Sequence, residues 1–159
     1  MKRGIICFGM MFLSMVVIFM LSHQSGAGSI ALTERIASIL DIEKMAGYKN
    51  LSTRPLFLGL SLRSYGHAVL YAGFGVVVFL FCGGLTKKQH TRILLSILIC
   101  LIFSLLDEFH QTFVPGRDCE LKDLIMDAVG YLSTILICAF VHGLRYLQFY
   151  MNKREQPVS

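Results

Sequence analysis

Charge is what this chain of 159 residues lacks most: Asp, Glu, Lys and Arg together make up 16%, where soluble domains carry about a quarter. The chain is nonetheless not disordered, because disorder requires high net charge with few Phe, Ile and Leu, and here 55% of residues are hydrophobic. It also lacks a cysteine framework. The five cysteines are odd in number, and Cys7, Cys82, Cys100 and Cys138 lie in apolar runs with no Cys-x-x-Cys pair. That excludes a secreted disulfide scaffold, a zinc ribbon and a thioredoxin-type motif. No Ser-His-Asp spacing, glycine-rich phosphate loop, reactive-cysteine motif or H-E-x-x-H occurs, so no motif names a reaction or a cofactor. What is abundant is apolar sequence, with a mean hydropathy of +0.64. The composition is that of a membrane protein.

A spanning helix needs about 20 mostly apolar residues. Four candidates meet this, at 5–21, 65–82, 93–114 and 121–142, and they predict an all-α bundle of four transmembrane helices. Gly83-Gly84 and Pro115-Gly116 punctuate the gaps. The third span is the informative one. Its uncharged run, 93–106, is about 14 residues, roughly 21 Å of helix and too short for the bilayer core. The helix is therefore expected to continue through Asp107, Glu108, Phe109, His110 and Gln111 to about Val114, where Pro115 stops it. Two acids then lie at membrane depth.

Orientation follows from basic residues in short flanks. Lys2, Arg3, Lys87, Lys88, Arg92, Arg145, Lys153 and Arg154 all fall on one side of a four-span chain. Both termini are thus expected in the cytoplasm, with Cys119 outside, residues 1–150 as one membrane domain and 151–159 as a cytoplasmic tail. The net charge of +5 is topological, which leaves nucleic acid without a role as partner. The first span resembles a signal peptide, but its apolar run exceeds the usual 7–15 residues and is read as retained. Between spans one and two, Leu32, Ile36, Ile39 and Leu40 recur at helical spacing among polar residues. They predict an amphipathic extracytoplasmic helix on the membrane surface, or a lid on the bundle, with Gly28-Ser29 at its start.

Ionisable groups inside membrane spans are costly and mark function by default. Arg63, His67 and Tyr71 are four apart as span two begins; Asp107 and Gln111 are four apart as span three ends, with Glu108 beside them. Asp123, Asp127 and Tyr131 repeat the spacing as span four begins. Residues four apart share a helix face, so three polar stripes meet at one level, below Arg117 in the Pro115-Gly116 turn. Four acids against two arginines and a histidine cannot all ionise unaided: a proton is retained, or a cation is bound. A divalent ion on the carboxylates and His67 is compatible with this, although no standard metal-ligand spacing is present. Interhelical hydrogen bonding is the alternative use for such groups.

The stretch Asp107-Glu108-Phe109-His110-Gln111, Val114-Pro115-Gly116-Arg117 and Asp123-x-x-x-Asp127-x-x-Gly130 resembles the signature of VanZ-like membrane proteins. Arg63-x-x-x-His67-x-x-x-Tyr71 and Ser22-His23-Gln24-Ser25-Gly26 are similar to two supporting motifs of that family. Asp127 departs from the pattern, standing where many members have Asn. The resemblance implies a small multi-span bacterial membrane protein and a link to low-level resistance to the glycopeptide teicoplanin.

Two functions fit these residues. In the first, a cell-envelope protein binds a lipid headgroup, a lipid-linked cell-wall intermediate or a glycopeptide antibiotic in an outward-facing polar pocket. Arg63, His67, Gln111 and Arg117 then bind substrate, the guanidinium groups suiting phosphate. In the second, a membrane-embedded enzyme acts on such a lipid, with Glu108, Asp123 and Asp127 as acid/base groups or metal ligands. A transporter subunit and a purely structural bundle rank below both. The expectation common to the two leading readings is convergence of all seven side chains in one pocket.

Overall fold

The computed structural model describes residues 2–42, 60–117 and 119–155. Among these, the apolar runs become helices and no strand forms: α1 Lys2–Ser22, α2 Gly26–Ile39, α3 Leu62–Leu85, α4 Gln89–Gln111 and α5 Leu121–Glu155. Helices α1, α3, α4 and α5 are long and apolar enough to cross a membrane. Their large side chains face outward, as with Leu94, Leu98, Leu105 and Phe109 on α4, while Ser96, Ser104, Asp107, Glu108 and Gln111 of that helix are buried. In lipid, apolar groups need no burial, and polar ones turn to the interior.

The contact between α3 and α5 organises the bundle. Gly75 of α3 sits against the Tyr131 backbone, with room for no Cβ, and Gly130 of α5 sits likewise against the Ala68 carbonyl. Small residues let two backbones approach closely where lipid supplies no hydrophobic drive. Thr134 Oγ1 donates across this seam to the Ala72 carbonyl at 3.0 Å. Around it, Tyr71, Phe74, Val78 and Phe79 pack with Cys100 of α4, Ile135 of α5 and Ile18 of α1.

Several boundaries differ from the sequence expectation. Helix α4 ends at Gln111 rather than Val114. Thr112, Phe113 and Val114 instead donate to carbonyls three residues back, at 3.3, 3.0 and 3.0 Å. A residue before proline is disfavoured in α conformation, so the chain tightens there before Gly116 turns at φ +73°. Asp107 and Glu108 do lie inside the helix. Helix α5 runs past His142 to Glu155, because no proline lies between those two residues and the first one beyond His142 is Pro157. The second segment is capped by Ser25, whose side chain accepts from Gly28 N, and not by Gly28-Ser29. Gly26 N donates to the Pro115 carbonyl at 3.1 Å, tying α2 to the α4–α5 turn. The remainder of that segment, 43–59, lies outside the described residues. Arg92, counted above among the flanking charges, is buried: its Nε donates to the Phe79 carbonyl at 2.8 Å and its guanidinium lies 3.7 Å from the Phe79 ring centroid.

Candidate functional site

Because α3 and α5 begin, and α1 and α4 end, at the same end of the bundle, their stripes meet there. Arg63, Ser64, His67 and Tyr71 come from α3; Ser104, Asp107, Glu108 and Gln111 come from α4; Asp123 and Asp127 come from α5. Arg117 enters from the turn and Ser22 from the end of α1. The four acids are 0–3% exposed, so none can rely on solvent to balance its charge.

Each aspartate is held from a different helix. Ser22 Oγ donates to Asp107 Oδ2 at 2.8 Å, Ser64 Oγ to Asp123 Oδ1 at 3.2 Å, and Ser104 Oγ to Asp127 Oδ2 at 2.7 Å. Glu108 Oε2 accepts from the Glu120 backbone N–H at 3.2 Å. His67 lies between two of these acids, its Nδ1 3.1 Å from Asp127 Oδ1 and its Nε2 3.9 Å from Asp123 Oδ2. One nitrogen atom of His67 and one oxygen each of Glu108 and Asp127 all fall within 4.8 Å of one another.

Gln111 joins acids to bases. Its Nε2 donates to Asp107 Oδ2 at 3.3 Å and to Glu108 Oε1 at 3.2 Å. Its Oε1 accepts from Arg117 Nη1 at 3.1 Å and Arg63 Nη2 at 3.4 Å. Arg63 Nη2 also lies 3.7 Å from Asp123 Oδ2. Arg117 Nη2 donates to the Leu21 carbonyl at 3.3 Å, serving one of the carbonyls left open at the end of α1. Burial, followed by the like charge of Arg63, lowers the Arg117 pKa from its ordinary value, while Asp107, Asp123 and Glu108 oppose that shift.

Beside this network lies a cavity of about 430 Å³ bounded by α1, α2 and α3. Ile18, Leu21, Leu32, Ile36 and Leu70 give it apolar walls, and Arg63, His67, Asp107 and Arg117 border it. A second cavity of about 230 Å³ lies among Ser61, Ser64, Glu120, Lys122 and Asp123, with Arg63 bordering both.

The structure therefore brings together Arg63, His67, Glu108, Gln111, Arg117, Asp123 and Asp127 in one network but not in one pocket. Arg63, His67 and Arg117 border the larger cavity, Arg63 and Asp123 the smaller, and Glu108, Gln111 and Asp127 line neither. Of the two tyrosines, Tyr71 borders the larger cavity and Tyr131 packs in the core. His110 stands outside the cluster, 3.2 Å from His23. The serines at 64 and 104 were not anticipated. The signal for Ser104 was present: Ser96, Cys100 and Ser104, each four apart, extend the Gln111 stripe down α4 and are all fully buried.

A family model described as VanZ/LLP1 matches residues 7–142. No curated protein and no solved structure matches the chain.

Proposed function

The chain belongs to the VanZ/LLP1 family, and we propose that it is a multi-pass protein of the cell envelope that binds an amphiphile: an apolar chain ending in an anionic group. The observation that carries this reading is the apolar cavity of about 430 Å³ that ends against Arg63 and Arg117. Its size lies within the usual range for ligand sites, and apolar walls with a few convergent polar groups are the usual build of one. An acyl or prenyl chain fits between α1, α2 and α3, and its phosphate or carboxylate meets two guanidinium groups suited to bidentate recognition. Basic flanks at the opposite end of the bundle support an outer-leaflet position for this cavity. Ligands of this chemistry include membrane phospholipids, lipid-linked cell-wall intermediates and the apolar tail of a glycopeptide such as teicoplanin. In this reading the domain covers residues 1–150, and α2 closes the cavity on the outer surface.

The test is native mass spectrometry of the detergent-purified protein with phosphatidylglycerol or phosphatidylcholine added. The wild type should retain the anionic lipid preferentially. Arg63→Ala should weaken that retention about tenfold, the loss of one charge-assisted hydrogen bond. Equal retention of both lipids by the wild type would overturn the proposal.

A further inference from the structure

We propose that His67, Glu108 and Asp127 form a binding site for a divalent transition-metal ion of the Zn²⁺ or Mn²⁺ class. The three side chains come from three helices, α3, α4 and α5, and their candidate ligand atoms lie within 4.8 Å of one another. The 3.1 Å between His67 Nδ1 and Asp127 Oδ1 is the spacing of adjacent ligands around an ion with bonds of about 2.0–2.2 Å. All three residues are buried, so the site is built into the bundle rather than formed by surface acids.

The supporting groups are arranged as a metal site requires. Ser104 occupies Asp127 Oδ2, leaving Oδ1 toward the histidine. Gln111 donates to Glu108 Oε1, and a carboxylate oxygen so engaged keeps a second lone pair. The far nitrogen of His67 lies 3.9 Å from Asp123 Oδ2, beyond hydrogen-bond distance but on the side from which a carboxylate orients a ligating imidazole. Charge is compatible with this. Four buried carboxylates face two guanidinium groups and His67, and a divalent ion would supply positive charge that retained protons otherwise supply.

A second, independent feature is that two of the five buried side-chain polar atoms without partners among the described residues, Asp107 Oδ1 and the Tyr71 hydroxyl, lie at this end of the bundle. Both side chains are at most 3% exposed and border the cavity that also reaches His67. They offer hydrogen bonds to water or ligand atoms completing the ion's coordination. A mixed imidazole and carboxylate set favours Zn²⁺ or Mn²⁺ over Mg²⁺ and Ca²⁺, which take oxygen ligands.

This inference goes beyond the amphiphile reading and stands apart from it, because Arg63 and Arg117 hold the anionic group whereas three other side chains hold the ion. The test uses the full chain in detergent, stripped with EDTA and then equilibrated with ZnCl₂ or MnCl₂, reading bound metal by elemental mass spectrometry and thermal unfolding. The wild type should hold about one ion per chain and unfold at a higher temperature with it. His67→Ala and the near-isosteric Glu108→Gln should each lower bound metal at least tenfold, while His110→Ala, at the separate histidine pair, should leave it unchanged. Should His67→Ala fail to fold, Glu108→Gln decides. A wild type that retains neither ion and gains no stability from it would overturn the proposal, as would full loading of Glu108→Gln. Retention of phosphatidylglycerol by that same metal-free protein would leave the amphiphile reading standing.

Discussion

Gln111 does what no ionised side chain could do in its place. An amide presents an acceptor to the two arginines and a donor to the two acids, so it joins opposite charges without adding one. Gln111→Leu keeps the approximate volume but leaves both guanidinium groups and both carboxylates short of a partner. We expect a loss of about 2–4 kcal/mol, seen as a fall in unfolding temperature in detergent. Cys119 provides a second probe at this scale. Although exposed, its thiol is pushed above the ordinary value by partial burial, then by the charge of Glu108 and a hydrogen bond to it. A raised pKa leaves less thiolate at a given pH. Alkylation of Cys119 should therefore reach half its maximal rate at a higher pH than a free cysteine, and Glu108→Gln should lower that midpoint. An unchanged midpoint would mean Glu108 does not face the loop. The charged members of the site were legible in sequence because an ionisable group in an apolar span stands out and the four-residue spacing assigns its face. Ser64 and Ser104 were not, since a serine barely alters the hydropathy of a run and its partner lies on another helix.

At the scale of the helix, the α3–α5 seam depends on the absence of two methyl groups. Gly130→Ala would drive a Cβ into the Ala68 carbonyl, a clash with backbone that no rotamer change relieves. We expect destabilisation of about 1–3 kcal/mol by thermal unfolding. Gly73→Ala, on α3 with open space around it, should be neutral or slightly stabilising, because alanine favours helix over glycine. Equal effects at the two positions would refute the seam as the cause. The existence of three of the long helices followed from apolar length, and that of α4 from the need to extend a short apolar run through Asp107 and Glu108. Their ends did not, because they are set by local chain signals: the turn before Pro115 tightens from Thr112 onward, while no proline interrupts α5 between His142 and Glu155 and the next one is Pro157. Arg92 shows the converse limit. A basic residue near a span reads as a flanking charge, and only the packed Phe79 carbonyl and ring reveal a buried one.

For the whole molecule, apolar side chains outside and a polar cluster inside define which surfaces meet lipid. Which end meets which compartment rests on the basic flanks. If the cluster lies toward the outside, Cys119 should react with a membrane-impermeant maleimide in intact cells at pH 8.5, chosen to offset its raised pKa. A cysteine placed by Asn152→Cys should react only after the membrane is permeabilised. The reverse pattern would invert the orientation and move the proposed ligand to the cytoplasmic leaflet.

The lengths of α4 and α5 have a mechanical consequence. Helix α4 has 23 residues and α5 has 35, and the two meet at the level of the connecting turn. At 1.5 Å per residue, α5 overshoots its neighbour at the far end by roughly 18 Å. That overhang is continuous helix, so it behaves as a stiff mast rather than a tether. A fluorescent or electron-dense reporter joined to it in helical register would report the tilt of the bundle in the bilayer directly.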